Sequence, residues 1–433
     1  MALNHGARAL FIAFTAIGAA FYVVRFWTIY AAGELFHRLG FDWTMFYAQA
    51  MVVRIGAGSN MYEVPQIDGQ LQLLGQYYPG TAPFQSALPV PYPPWFAAMI
   101  EPFTLPPPPI GFALWLVLSM ACAGLLAYRV KQFLPELPAI GAATLVFAAY
   151  PVAFCMFMGQ VGLILAVAVS EMMISFKAGR ELRAGLWLSV LLLKPQYAVV
   201  FALLVLWKWR VRAILGGVLG GLLLVVVGLF ATGSSALVRF PAAMAQMAEF
   251  RNFVAGPWWM INWRSFVLYA IPGLEDEQGA AVVAGLSILT LVLLLYFWRG
   301  RWDPHGREFA PNFAALAVGA LVTSYHSHTH GAALMIVPIA AVWSRPIFKF
   351  ETRIAILACL YLPTLMLVWV GGVLQRFAVS SDPEQSLWMV WPDALPGLLF
   401  VTAFLLICRD VWNLQAPSIR AFYKLRPRWN MLA

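Results

Sequence analysis

The chain has 433 residues, of which 62% are hydrophobic and 11% charged, with 31 Phe and 18 Trp and a mean hydropathy of +0.76, which excludes an ordinary soluble domain. The formal net charge of +9 sits in short clusters between apolar runs, so it argues against a nucleic-acid surface and for the positive-inside rule of membrane proteins. Runs of ~20 apolar residues, enough to cross a hydrocarbon core of ~30 Å, recur from end to end, and the chain reads as an all-α polytopic membrane protein, one integral membrane domain over residues 1–433.

The first apolar run, from about Ala9 to Ala31, outlasts a signal-peptide core and is expected to be a retained span, with Arg25 near its outer end. An outer segment over 32–92 follows and contains "FDWTMFYAQAMVVRIGAGSNMYE", with Asp42 and Tyr47. Next comes "YPPWFAAMIEPFTLPPPP" at 92–109, a short apolar helix bracketed by prolines, expected to dip into the membrane and re-emerge. It carries Tyr92 and Glu101.

Beyond it, basic clusters alternate with apolar runs. Placing Arg8, Arg129 with Lys131, Lys177 to Arg183, Lys208 to Arg212, Arg299 to Arg307, Arg345 to Arg353 and the tail from Arg409 to Arg428 on the cytoplasmic side assigns 20 of the 28 Lys and Arg residues there, against six outside. That asymmetry sets the orientation: a multi-pass protein of the plasma (inner) membrane with cytoplasmic N- and C-termini and a basic cytoplasmic tail over 410–433. Glu171, near an inner helix end, is expected to snorkel. Between Arg183 and Lys208 lie 24 residues, "AGLWLSVLLLKPQYAVVFALLVLW", too few for two crossings although both ends are assigned inside. They predict a re-entrant pair of short helices breaking at Lys194-Pro195, where proline disfavours helix at the preceding residue. "GGVLGG" at 216–221 has the small-residue spacing of close helix packing, and a second outer segment spans 233–278. The total is about ten full spans plus the re-entrant pair and outer-face loop helices. The four cysteines lie in apolar segments without CxxC spacing and read as packing residues.

Unusual polar groups collect toward the outer face: Asp42, Gln160 in "FMGQVG", Asn262 and Arg264 in "WWMINWRSF", and three of the chain's six histidines in "SYHSHTH", 324–330. Lys194 lies deeper, where an unpartnered cation costs roughly 2.5–3.5 kcal/mol. An anionic ligand is a natural partner for it.

This ordered set resembles the family-87 glycosyltransferases of the GT-C superfamily, which include mannosyltransferases that use polyprenyl-phosphate-mannose. The matching pieces are Asp42, Tyr47 and "GAGSNMYE", then "PVPYPPWFAAMIEPF", "MGQVG", "LLLKPQY", "NWRS" and "SYHSH", in that order over roughly residues 40 to 340. One departure is Tyr325, where the family usually has Pro, and the family's histidine is assigned to His328. The resemblance implies a GT-C-type bundle and transfer of a sugar, mannose first among them, from a polyprenyl-phosphate donor to a lipid or glycan acceptor at the periplasmic or extracellular side. It further implies inversion at the anomeric carbon, with no metal and no cofactor. Asp42 is then the expected general base; His328, Lys194 and Arg264 are expected on the donor phosphate; Gln160, Asn262, Tyr47, Tyr92, Glu101, His326 and His330 are expected as substrate-binding neighbours.

Structural readings stay open beside these. Asp42 could cap the helix that starts near Trp43, Lys194 could pair within the protein, and Arg264 could meet lipid headgroups. His326 and His330, four apart, could share a metal, but no carboxylate or cysteine lies close in sequence to complete a ligand set. In function, a multi-span transporter of an anionic or lipid-linked substrate is the rival class, because broken helices and buried charges also mark transport sites.

Overall fold

A computed structural model describes residues 41–63, 92–249, 260–362 (except 272) and 387–424, with a few isolated positions before residue 76. The expected first span at Ala9–Ala31, with Arg25, lies outside the described residues. Those that are described form helices, with one isolated antiparallel bridge between Met260 and His328 and no named strand.

In chain order the α-helices are α1 Phe41–Val52, α2 Pro94–Ile100, α3 Pro108–Phe133, α4 Ala139–Phe147, α5 Tyr150–Met158, α6 Gly162–Lys177, α7 Glu181–Val190, α8 Pro195–Trp207, α9 Val211–Met247, α10 Trp263–Ala270, α11 Asp276–Phe297, α12 Phe309–Thr323, α13 Ile336–Trp343, α14 Phe350–Tyr361 and α15 Leu387–Lys424. Four of them (α3, α9, α11 and most of α15) are long and apolar enough to cross a membrane, or five crossings if α4 and α5, bent by 61° at their junction, count as one. The described residues therefore supply fewer full spans than the ten expected. The physical reason is that some apolar helices stop short: α6 has 16 residues and α12 has 15, against the ~20 a crossing needs.

The predicted break is present. α7 ends in a short 3-10 turn at Leu191–Leu193, and Lys194, outside the helical region at φ −133° and ψ 85°, precedes Pro195 at the first position of α8. The short helix bracketed by prolines is present too, as α2 followed by a 3-10 turn at Glu101–Thr104. The glycines of "GGVLGG" press α9 onto α7: a Cβ on Gly216 would collide with the Leu182 carbonyl and one on Gly220 with the Ser189 hydroxyl, so only glycine allows this approach. Two boundaries differ from expectation. α9 does not end at residue 232 but bends at Gly233 and continues to Met247, and α15 runs on to Lys424, so the basic tail begins as helix.

The basic clusters meet one another. Arg129 and Arg183 share Glu171, at 2.6 and 2.8 Å; Arg210 pairs with Glu181, Lys208 donates to the Gly300 carbonyl, and Arg345 donates to the Arg307 carbonyl. They thus occupy one end of the bundle, as a charge-segregated topology requires. Glu171 does not snorkel. Its side chain is 2% exposed and doubly paired, because the two guanidiniums that reach it make burial of the carboxylate affordable.

Candidate active site

α6, α8 and α12 all run from this basic end to a polar cluster at their other ends. Gln160 and Gly162 stand at the start of α6, Lys194 at the start of α8, and the histidine turn 324–330 just after α12. At 1.5 Å per residue these helices are only about 24, 20 and 23 Å long.

Gln160 is placed by the glycine before it. Gly159 ends α5 in the left-handed region (φ 75°), and a Cβ there would stand 2.6 Å from the Trp43 Cβ. Only glycine satisfies both the dihedral and the packing. Trp115 Nε1 donates to the Gly159 carbonyl at 2.8 Å and holds the turn. Trp43 stacks on Trp115 with centroids 5.4 Å apart, seating α1 against it. That brings Asp42, in the first turn of α1, to Gln160: the amide Nε2 donates to Asp42 Oδ2 at 2.7 Å. The amide's Oε1 accepts from Tyr92 OH at 3.1 Å and from Lys194 Nζ at 3.3 Å. Lys194 Nζ also lies 3.0 Å from His330 Nε2 and 5.3 Å from the centre of the Tyr92 ring. A continuous polar chain therefore joins Asp42, Gln160, Lys194 and His330, four residues from four distant parts of the sequence.

The break at Lys194 is satisfied by protein, as non-helical backbone inside a membrane domain must be. The Leu192 carbonyl accepts from Trp95 Nε1 of α2 at 2.9 Å, Gln196 Nε2 donates to the His326 carbonyl at 3.3 Å, and Tyr197 OH lies 3.0 Å from Ser327 Oγ. The histidine turn is stapled from its other side by Ile261 N, which donates to the Ser327 carbonyl at 2.8 Å. The imidazoles follow one another, His326 edge-to-face with His328 at 4.6 Å and His328 stacked on His330 at 5.7 Å between centroids. His330 is buried while His326 and His328 are half-buried. Neither His326 Nδ1 nor His330 Nδ1 has a hydrogen-bond partner among the described residues. Arg264, 2% exposed in the first turn of α10, lies close enough to act electrostatically on His326.

Burial pushes the Asp42 carboxyl above the usual carboxylate range, with the Gln160 hydrogen bond and the Lys194 charge pulling it back. Burial, then His328, Lys194 and Arg264 push the His326 imidazole well below its ordinary value, toward the neutral form. Such an arrangement offers a proton acceptor at one end and a positive, donor-rich lining at the other. Among the described residues, no group of three or more His, Cys, Asp and Glu side chains is arranged to hold a metal ion.

Of the residues expected from sequence, Asp42, Gln160, Tyr92, Lys194, His326, His328 and His330 come together, with Arg264 beside them. Three do not join that chain of bonds. Tyr47 is buried in the aromatic packing around Trp43, and its hydroxyl donates to the carbonyls of Thr104 and Pro106, each at 3.3 Å. Asn262 is a staple behind the histidine turn: its Oδ1 caps α10 by accepting from Ser265 N at 3.0 Å, and its Nδ2 donates to the Ser324 carbonyl at 2.7 Å. Glu101 is half-buried on the turn after α2, where its carbonyl accepts from Thr104 Oγ1. Conversely, Trp95, Gln196, Tyr197 and Cys155, whose thiol faces the His330 carbonyl at 3.6 Å, support the cluster and were not expected. Gln196 and Tyr197 adjoin the Lys194-Pro195 break and Trp95 adjoins the Tyr-Pro-Pro element, so adjacency to these motifs was the available signal.

A polytopic helical bundle that gathers a carboxylate, a lysine and three imidazoles at the ends of shortened helices is the frame of a membrane enzyme. The model of glycosyltransferase family 87 matches residues 91–327, more than half of the chain, and the chain belongs to that family: it is a membrane glycosyltransferase. No curated protein and no solved structure matches it significantly. Membership in an enzyme family sets the transporter reading aside.

Proposed function

We propose that this glycosyltransferase moves a sugar, mannose being the first candidate, from a polyprenyl-phosphate donor to the hydroxyl of a lipid or glycan acceptor, with inversion, at the non-cytoplasmic side of the plasma membrane. The observation that carries the reading is the composition of the polar cluster and the shortness of the helices that bear it. Helices of 13 to 16 residues rising from the basic end fall short of a hydrocarbon core of ~30 Å, so the cluster at their far ends is recessed into the bilayer, where a lipid-borne phosphate can enter sideways. A soluble nucleotide-sugar would gain nothing from such a recess.

In this reading Asp42 accepts the proton of the acceptor hydroxyl as its oxygen bonds to the anomeric carbon, and the bond from that carbon to the phosphate oxygen breaks with its electron pair leaving on polyprenyl phosphate. The raised Asp42 pKa suits the role, because a base works best when its pKa lies near the working pH. The leaving phosphate gains negative charge and is met by the half-buried His328 and His326 and by Arg264, whose fixed donors and charge act in a site of low dielectric. Lys194 and His330 stand behind these groups, 3.0 Å from one another.

The test is reconstitution with polyprenyl-phosphate-mannose and membrane-lipid acceptors, following release of polyprenyl phosphate. Release should require acceptor and should fall by ~10²–10⁴-fold in Asp42→Asn. Undiminished release in that variant would remove the base assignment, and no release with any polyprenyl-phosphate sugar would remove the donor class.

A further inference from the structure

We propose that Lys194 is a positioning residue for Asp42 and not a ligand of the donor phosphate, acting through Gln160, whose amide it orients toward the carboxylate. The proposal rests on the reading of Asp42 as the base and adds what sets that base in place.

The surroundings of the ammonium come first. Lys194 is 4% exposed, and an ammonium has three hydrogens to donate and no acceptor. One direction is taken by Gln160 Oε1 at 3.3 Å, a second by His330 Nε2 at 3.0 Å, and the Tyr92 ring covers a third with its centre 5.3 Å from Nζ. No side is left for a phosphate oxygen. The more open imidazoles, His326 and His328, line the approach instead, while His330 is buried behind them.

The polarity of the amide follows. Gln160 has one accepting and one donating end. An ammonium can only donate, so Oε1 must face Lys194; a carboxylate can only accept, so Nε2 must face Asp42, at 2.7 Å. Tyr92 OH, donating to the same Oε1 at 3.1 Å, reinforces this orientation. Without Lys194 the amide can turn over and present its oxygen to Asp42, which weakens the carboxylate's hold on its position and disfavours its charged form. The titratable groups in electrostatic contact with Asp42 are Lys194, Tyr92 and Cys155. Of these only Lys194 carries positive charge.

The decisive measurement needs no substrate. Titration of Asp42 in the full chain in lipid nanodiscs, followed by its carboxyl infrared band and assigned by difference from Asp42→Asn, should show the midpoint rise by about one pH unit in Lys194→Met. The acid limb of kcat/KM should rise with it. Affinity for polyprenyl phosphate should change by less than about twofold, where loss of a direct charge-assisted contact costs about tenfold or more. Gln160→Met severs the link with the ammonium in place and should move the acid limb the same way, and thermal unfolding of both variants checks that the fold persists. An unmoved Asp42 midpoint in Lys194→Met, or affinity for polyprenyl phosphate weakened about tenfold, overturns the proposal. A shifted midpoint with transfer intact in Asp42→Asn would keep the link and reject the base.

Discussion

Gln160 donates to Asp42 across 2.7 Å although 118 residues separate them. The pair joins the first described helix to the turn between α5 and α6, so the candidate base is held by the bundle and not by its own loop. Its carboxyl is pushed up chiefly by burial, and the sign of the consequence is definite. A base must be deprotonated, so kcat/KM should fall as pH drops through the raised value, with an acid limb above the ~3.9 of a free aspartate. A limb at or below the free value would contradict the burial seen here.

The same shift predicts an opposite effect on stability. Between the ordinary and the raised pKa the folded chain binds more protons than the unfolded one, so stability falls as pH rises through that window. The charged carboxylate is therefore a cost to the fold at neutral pH. Asp42→Asn, which keeps an oxygen and removes the charge, should lose transfer yet unfold at a higher temperature than the parent at pH 7, and the difference should vanish in acid. Equal melting at both pH values would show that Asp42 titrates in the folded chain as it does in the unfolded one.

Gly159→Ala tests how Gln160 is presented. The left-handed dihedral costs a non-glycine residue about 1–2 kcal/mol, and the new methyl meets the Trp43 Cβ at 2.6 Å, so either α1 or the turn must shift. Both movements lengthen the Gln160–Asp42 bond. Turnover should drop by at least about tenfold, which a barrier change of only ~1.4 kcal/mol produces, along with a lower melting temperature. Wild-type turnover would show that the turn does not position the site.

Asn262→Ala separates support from contact. It removes the cap of α10, worth about 0.5–2 kcal/mol, and leaves the buried Ser324 carbonyl without its donor, about 1–3 kcal/mol more. The histidine turn should loosen, and the affinity for polyprenyl phosphate should fall together with stability. Asn262→Asp keeps the cap but loses the donor to Ser324, so its melting temperature should lie between those of Asn262→Ala and the parent. Affinity lost with no change in melting would return Asn262 to the substrate.

Much of this arrangement was legible in the sequence, for identifiable reasons. The break at Lys194-Pro195 followed from proline chemistry and from two ends assigned to one side with 24 residues between them, and close helix packing at GGVLGG followed from glycine spacing, although its partner α7 did not. Convergence of the polar groups was readable from the threading that puts them all toward one face. What hydropathy could not mark is where a polar cluster cuts a helix short, so α6 and α12, of 16 and 15 residues, were counted as full crossings. Nor can a sequence distinguish an amide that meets substrate from one spent on a backbone: Tyr47 and Asn262 bear the right groups, and the structure uses them on carbonyls 57 and 62 residues away.

Glu171 shows the same limit at the opposite end of the molecule, and gives a prediction that separates stability from chemistry. It reads in sequence as a lone acidic residue near a helix end, because its partners Arg129 and Arg183 stand 42 and 12 residues away. Buried at 2% exposure between two guanidiniums, it pairs with both of them and ties α3, α6 and the start of α7 together. Removing one member of a buried ion group typically costs about 3–5 kcal/mol, since the remaining charges lose their partner. Arg129 is only 18% exposed and cannot fully rehydrate, whereas Arg183 at 44% can, so the larger share of the penalty falls on Arg129. Glu171→Gln should therefore lower the melting temperature and the yield of folded protein, while kcat and the pH profile of the folded fraction stay at parental values, because Glu171 lies at the far end of α6 from Gln160. A shift in the acid limb of Glu171→Gln would mean that the two ends of α6 are coupled.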